Sequence, residues 1–333
     1  LSRFSIILPV RNGGAYVQEC VNSILSQTLP EFNLIVLDNC STDDTVKWIE
    51  SCNDPRIIIH RSATDLSMVD NWARVKDIKK NEFITLIGHD DILHPDYLQT
   101  MSDLIAKHPG ASLYQSHFKF IDSTGAYIRS CKPMAEKQYA HEFIACQLED
   151  TIDSMGTGYM MRSSDYDELG GISALYPNLI FADYELWVKL TYRHYKATAA
   201  SEAFSYRIHN SVSKMTNGEA YKEAFGRYML FLAGLKAKDE KISAALEQHA
   251  KKMLLYFCES LSHRLLKTDK KLRKTTVGAF VRECRGYAAM LIPGQPFRPM
   301  LKPKIFAAWC LDNPPGLALF SLYKKITSPA KRG

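Results

Sequence analysis

An α/β fold with a mixed, mainly parallel sheet and helices on both faces, followed by an all-helical region, is predicted by three observations. Over the first 120 residues, short apolar runs alternate with segments of helical spacing. Strands and helices alternating at this rhythm build parallel sheets. Beyond residue 216 the strand signals stop and only helical periodicity remains. The 333 residues suffice for a large domain with an appendage or for two modest domains, and 46% hydrophobic and 23% charged residues are ordinary for a globular protein.

The elements follow in order. Phe4-Ser5-Ile6-Ile7-Leu8-Pro9-Val10 is a short apolar strand that ends in the turn Arg11-Asn12-Gly13-Gly14. Residues 15–27 carry Val17, Cys20, Val21, Ile24 and Leu25 at helical spacing. Residues 32–37 form a second strand, and 42–52 a helix with Ser41 or Thr42 as N-cap. A strand at 56–60, a helix at 70–79 and a strand at 82–87 complete the alternation. Residues 111–215 are mixed: strand character at 111–121, a glycine-containing run at 156–161, a helix at 183–192 and a strand at 203–208. This places a domain at 1–215 and a helical region at 216–333.

Three helices are expected in the second region, at 219–236, 239–266 and 270–291. In the second of them Ile242, Leu246, Met253, Phe257, Leu261 and Leu265 make one stripe, a packing face or a dimer face. The tail sets Ile305-Phe306-Ala307-Ala308-Trp309 and residues 317–326 beside Lys302, Lys304, Lys324, Lys325, Lys331 and Arg332. Such a segment is either an interfacial helix or a helix packed on its own domain.

The net charge of +6 is uneven: residues 216–333 hold 22 Lys/Arg against 9 Asp/Glu, and residues 1–215 hold 20 against 27. An acidic first part suits a metal-ion site, and a basic second part suits an anionic surface such as lipid headgroups. No aromatic-basic motif supports nucleic acid as a partner. The eight cysteines form no CxxC pair and read as reduced thiols. No apolar run reaches 18 residues and no secretory signal is present, so a cytoplasmic location is expected, with the inner face of the cell membrane as the place where a basic region would rest.

Four clusters carry chemistry. Asp38 ends the second strand, where parallel sheets bind ligands, and a carboxylate there accepts hydrogen bonds from a base or ribose. Asp90 and Asp91 follow a buried strand as adjacent carboxylates. Their repulsion and desolvation are relieved by a divalent cation, and hard oxygen ligands favour magnesium or manganese. Asp183 opens a helix; it is an N-cap or, if desolvated, a general base with a raised pKa. Arg207 and His209 end the last strand and can reach a diphosphate or a metal.

In this order the clusters resemble family 2 glycosyltransferases of the GT-A fold. Ser5 to Asn12 looks like the family's first strand and loop, with Arg11 where tyrosine is common. Glu19 and Ser23 to Thr28 match its first helix, and Leu37 to Thr45 its second strand and loop, with Asn39 and Cys40 departing from the usual aspartate and glycine. His89 to Pro95 is similar to the metal motif, with Gly88 at the position of a further upstream aspartate. Gly156-Thr157-Gly158 with Arg162, and Leu169-Gly170-Gly171, resemble the acceptor-side segment, Asp183 to Trp187 is similar to the family's ED-LW helix, and Tyr206 to Ser213 looks like its YR-H motif.

The resemblance implies a metal-dependent inverting enzyme that moves a sugar from a nucleoside-diphosphate donor, a UDP-sugar favoured, to a glycan or lipid-linked acceptor in cell-surface polysaccharide synthesis. Asp38 would contact the base, Asp90 the ribose or the metal, and Asp91 and His209 the metal, Mn2+ or Mg2+. Asp183 would be the catalytic base. Pro9, Val10, Arg11, Glu19 and Asn71 would line or brace the nucleotide-sugar pocket, and Gly158, Trp187 and Arg207 would lie on the acceptor or diphosphate side. A homodimer and an anionic membrane surface are the expected partners of the helical region. The rivals are a sugar nucleotidyltransferase, which needs a richer phosphate loop than Arg11-Asn12-Gly13-Gly14, and a non-catalytic nucleotide-sugar binder, which would be expected to lack one of these acids.

Overall fold

The computed structural model describes residues 2–209 and 212–327; Asn210, Ser211, Lys331 and Arg332 of the clusters above lie outside them. The chain divides into two compact units: Leu1–Gln147, Thr151–Leu175 and Ala182–Ser211 in the first, and Leu148–Asp150, Tyr176–Phe181 and Val212–Gly333 in the second.

The first unit is built, in chain order, from β1 (Phe4–Val10), α1 (Gly14–Leu25), β2 (Phe32–Asp38), α2 (Thr45–Ser51), β3 (Ile57–Arg61), α3 (Met68–Ala73), β4 (Phe83–Leu86), β5 (Ile92–Leu93) and α4 (Tyr97–Lys107). It continues through β6 (Leu113–Ile121), β7 (Tyr127–Ser130), β8 (Lys137–Gln138), α5 (Ala140–Leu148), β9 (Tyr159–Arg162), α6 (Ser163–Glu168), α7 (Ala182–Arg193) and β10 (Lys196–Arg207). One sheet runs β3-β2-β1-β4-β9-β6-β10-β5, with β7 beside β6 and β8 beside β10. β1 pairs in parallel with β2 and β4, β2 with β3, and β6 with β10. β9 lies antiparallel between β4 and β6. Every residue of β1 is buried, which is why it reads as a continuous apolar run instead of an alternation. In register Val10 faces Asp38 and Asp38 faces Arg61, so three strands end level and offer their following loops at one edge.

Three elements differ from their sequence reading, each for a local reason. The second helix begins at Thr45, not 42. Ser41 and Thr42 are engaged by Asn12, whose backbone N–H donates to the Ser41 hydroxyl and whose side-chain oxygen accepts from the Thr42 N–H, while Asp43 receives the Thr45 N–H. The helix expected at 70–79 shortens to α3 and a 3-10 turn over Arg74–Asp77. There the Asn71 amide donates to the Leu37 carbonyl and the Arg74 guanidinium to the Asp38 and His60 carbonyls, tying this segment to the strand ends. The last strand starts at Lys196, well before 203. Its buried lysine, whose amine donates to Gln138 and Thr198, interrupts the apolar pattern.

The second unit contains α8 (Val212–Met215), α9 (Gly218–Lys236), α10 (Glu240–Lys267), α11 (Val277–Leu291), α12 (Pro303–Cys310) and α13 (Pro314–Thr327). α9, α10 and α11 pack on one another. Ile242, Leu246, Met253, Leu261 and Leu265 of the α10 stripe are buried, and the Phe257 ring lies 5.0 Å from Phe225. The stripe is thus a packing face of its own unit. Asn217, Asp239 and Thr276 cap the three helices through side-chain oxygens. The helix expected from 270 begins only at Val277, because consecutive like charges at Lys270, Lys271, Arg273 and Lys274 disfavour it and Glu219 instead captures the N–H groups of Lys274 and Thr275.

Candidate active site

At the ends of β1, β2 and β3 two loops are stitched together. The Asn39 side chain exchanges both its hydrogen bonds with the backbone of Leu66, at 2.8 Å each way, which fixes the 62–67 loop over the edge. Arg11 at the end of β1 pairs with Asp65 on that loop, both half-exposed. Asp38 is 3% exposed and accepts from the Ser41 N–H. Pro9 and Val10 are buried behind it. Asp38, buried, and Arg11, half-exposed, therefore lie at the strand ends beside two loops pinned to each other. Asn71 is 4% exposed, with its amide donating to Leu37 and its oxygen accepting from Arg74, so it braces the strand ends.

The acidic loop follows β4. Asp91 is 2% exposed, and both its oxygens are engaged: Oδ2 accepts the Thr157 hydroxyl at 2.6 Å and Oδ1 the Arg207 backbone N–H at 3.0 Å. Burial, then the neighbouring Asp90 charge, pushes its carboxyl well above the usual range. Asp90 is more open, and its carboxylate contacts His209 Nε2 directly. A Cβ at Gly88 would stand 2.7 Å from Asp90 Oδ1 and 3.2 Å from Asp91 Oδ2, so the two carboxylates converge over this one residue. Burial holds the nearby His89 neutral against the opposing Asp90 charge.

This donor set fits a hard divalent cation. Among the described residues no three His, Cys, Asp or Glu side chains form a metal cluster. Magnesium-type sites commonly take one or two protein carboxylates and complete the shell with substrate phosphates and water. Asp90 and His209 are the accessible pair. Asp91, expected as the ligand, has both its oxygens engaged by Thr157 and the Arg207 backbone and lies behind the accessible pair.

Arg207 and Glu19 also have internal work. The Arg207 side chain is 0% exposed; Nη2 pairs with Glu19 at 2.5 Å, Nε donates to the Asp90 carbonyl at 2.8 Å, and Nη1 reaches the Asp122 carbonyl at 3.3 Å. Its guanidinium lies 4.7 Å from the Tyr16 ring, which also flanks His209 at 5.5 Å. Arg207 is thus a clamp on the acidic loop, not a free arm for a diphosphate, and half-exposed Glu19 is its counter-ion.

Asp183 lies at the start of α7, where the backbone N–H groups of Asp183 and Tyr184 point at its carboxylate. Desolvation outweighs them and raises its pKa to about 6. A side chain on Gly156 would lie 3.6 Å from Asp183 Oδ2, and the next residue, Thr157, holds Asp91. Consecutive residues thus tie the helix carboxylate to the acidic loop. Tyr206 registers the same convergence: its phenol is raised first by burial and then by the charges of Asp91, Asp90 and Asp183.

Trp187 and Gly158 are taken up by internal packing. Trp187 is 1% exposed, donates to the Met155 carbonyl at 2.8 Å and stacks on Tyr159 at 4.4 Å, so it sets the 155–159 segment from inside the core. Gly158 has φ +78°, and a Cβ there would meet the Phe204 ring at 2.7 Å. Gly158→Ala is expected to cost at least 2 kcal/mol, roughly, from backbone strain and overpacking together, read as a lowered urea midpoint. The motifs include Thr157, His89 and Tyr206 but assign them no role of their own, and Tyr16 lies outside them. Only Thr157 left a signal, a hydroxyl between two glycines; Tyr16 lies one turn before Glu19 on α1.

Residues 5–170 match the model of glycosyl transferase family 2. A glycosyltransferase of Rickettsia conorii, itself uncharacterised, is 25% identical over 191 residues, 56% of this chain and 31% of that protein. A PGL/p-HBAD biosynthesis glycosyltransferase of Mycobacterium tuberculosis is 35% identical over 115 residues, 33% of this chain and 44% of that protein. The matched stretches thus span well under two thirds of these curated relatives. Among solved structures, S. aureus TarS 1–349 in complex with UDP-GlcNAc superposes with a TM-score of 0.59 at 16% identity, over 86% of this chain and 90% of that one. That likeness is one of fold, and the fold is GT-A with a helical C-terminal region. By its matched domain and the order of its motifs, the chain belongs to glycosyl transferase family 2.

Proposed function

We propose that the chain transfers a sugar from a nucleoside-diphosphate donor to an acceptor hydroxyl with inversion, in the synthesis of a cell-surface glycan. The observation that carries this is the bridge Gly156-Thr157, which sets a desolvated carboxylate, Asp183, beside the acidic loop of Asp90 and Asp91. One acid is tuned to accept a proton near neutral pH, and the others are arranged for a cation and a diphosphate.

In this reading the nucleoside lies against the ends of β1 and β2, with Asp38 toward the base and Arg11 beside it. Asp90 and His209 would hold Mn2+ or Mg2+. When bound, the cation supplies positive charge against the developing negative charge of the departing diphosphate. Asp183 takes the proton of the acceptor hydroxyl. The acceptor oxygen then bonds to the anomeric carbon as the bond to the diphosphate oxygen breaks on the opposite face, and the nucleoside diphosphate leaves with that electron pair. A donor of α configuration gives a β product. The UDP-GlcNAc in the TarS structure supports a UDP-sugar as the first donor to try, and the mycobacterial relative's role in PGL/p-HBAD biosynthesis supports a lipid-linked or surface acceptor.

The test is slow donor hydrolysis. With UDP-GlcNAc and Mn2+ the chain is expected to release UDP, and chelator should stop it. Asp90→Ala with His209→Ala should reduce release by two orders of magnitude or more, roughly, with unchanged thermal unfolding. If a panel of nucleotide sugars gives neither release nor a cation-dependent thermal shift, the transfer reading fails.

A further inference from the structure

α12 has two unlike sides. Ile305 and Ala308 are buried, and the helix contacts α10 and α11. On the other side Phe306 is 51% and Trp309 48% exposed, their rings 5.9 Å apart. Lys302, Phe306 and Trp309 stand at positions i, i+4 and i+7, one face of the helix, and Leu301 in the preceding turn is 75% exposed. Single exposed apolar residues are ordinary. A paired tryptophan and phenylalanine on one short helix face, with an exposed leucine beside them, form a surface that needs a partner.

The charge around this face says which partner. Over residues 284–322 the chain has four Lys/Arg, of which Lys304 pairs with Glu259 of α10, and one acid of its own, Asp312. That acid is buried in an ion pair with Arg273 and offers nothing outward. Arg298 and Lys302 are exposed just before the helix. The Trp309 indole nitrogen and the Arg282 guanidinium both come within 4 Å of the point where a Gly278 side chain would stand, so a further cation lies beside the ring. A second copy would bring the same cations face to face, whereas an anionic bilayer supplies headgroups for them and an apolar interior for the rings. No helix of the described residues is long and apolar enough to cross a membrane, so the contact is one of lying on the surface.

We propose that α12 docks the protein on an anionic lipid surface, with Phe306 and Trp309 entering the interface and Lys302 with its basic neighbours meeting the headgroups. This stands on the second unit alone and is independent of the glycosyl-transfer reading.

Flotation of the full chain with vesicles tests it. Binding is expected to phosphatidylglycerol-containing vesicles at low salt and not to pure phosphatidylcholine. Phe306→Ser with Trp309→Ser should weaken it at least tenfold, and Lys302→Glu about fivefold or more, all with unchanged circular-dichroism melting. To separate lost binding from a disturbed helix, a second readout uses the folded wild type. A bimane label on the exposed Cys310, with Cys310→Ser as background, should shift to the blue on anionic vesicles. Absence of wild-type flotation, flotation indifferent to all three substitutions, or a bimane signal unchanged by vesicles overturns the proposal. So does a concentration-dependent dimer in light scattering that the double variant abolishes, which would give the face to a second copy.

Discussion

Asp183→Asn is expected to lower turnover by a factor of roughly 10²–10⁴ while making the protein more stable at pH 7. The two effects have one origin. The folded protein holds the Asp183 carboxyl at about 6, above the ordinary 3.8, because the group is desolvated. A raised carboxyl pKa means that the native state binds a proton more tightly than the unfolded chain. The cost of ionising it is absent below about pH 4, grows between pH 4 and 6, and is fully present above 6. Asparagine removes that cost and keeps the shape. The gain is about 1–2 kcal/mol, less than the full shift implies because asparagine binds the helix N–H groups more weakly. Wild-type kcat/KM should rise with pH through about 6, as expected when the deprotonated form is the base, and the variant's residual rate should lack that rise. Differential scanning calorimetry at pH 7 and pH 4 reads the stability half, with the two proteins converging at pH 4. A variant that loses stability as well as turnover would make Asp183 a structural cap and leave the site without its base.

Asp183 also marks where sequence reading reached its limit. The sheet was legible because β1, β2 and β4 are buried on both faces and show as apolar runs, and because their polar residues cluster where the runs stop. The acidic loop and the helix carboxylate were legible for the same reason, as charges set against apolar context. What could not be read is how each polar side chain spends its hydrogen bonds. Glu19, Asn71, Arg207 and Trp187 have the residue types of ligand contacts, yet they bond to partners 188, 34, 188 and 32 residues away in the chain. Thr157 shows the converse: an ordinary threonine becomes central only because β9 runs antiparallel beside β4 and brings the segment before it to the acidic loop. The α10 stripe was ambiguous between packing and dimerisation because periodicity reports that a face is covered, not by what. Contacts with α9 and α11 decide it.

The largest expected loss of stability comes from Arg207→Ala. Its guanidinium is wholly enclosed and serves Glu19, the Asp90 carbonyl and the Asp122 carbonyl, with the Tyr16 ring 4.7 Å from it. Removing it leaves those carbonyls short of donors and takes the nearest positive charge away from Asp90 and Asp91. Glu19 is half-exposed and regains water, which limits the cost to about 3 kcal/mol, below the upper end for a fully buried pair. For a unit of this size that is a melting temperature lower by about 6–12 °C. Arg207→Lys keeps the charge but loses the fork, so it can satisfy Glu19 or the carbonyls but not both, and should fall between wild type and alanine. The same substitution separates two roles. If Arg207 acted by reaching out to a diphosphate, alanine would weaken donor binding and leave melting untouched. Acting as a clamp, it should lower melting in the absence of any donor, and Mn2+ should raise the melting temperature of the variant less than that of the wild type, because the Asp90 backbone is no longer held where its carboxylate meets His209.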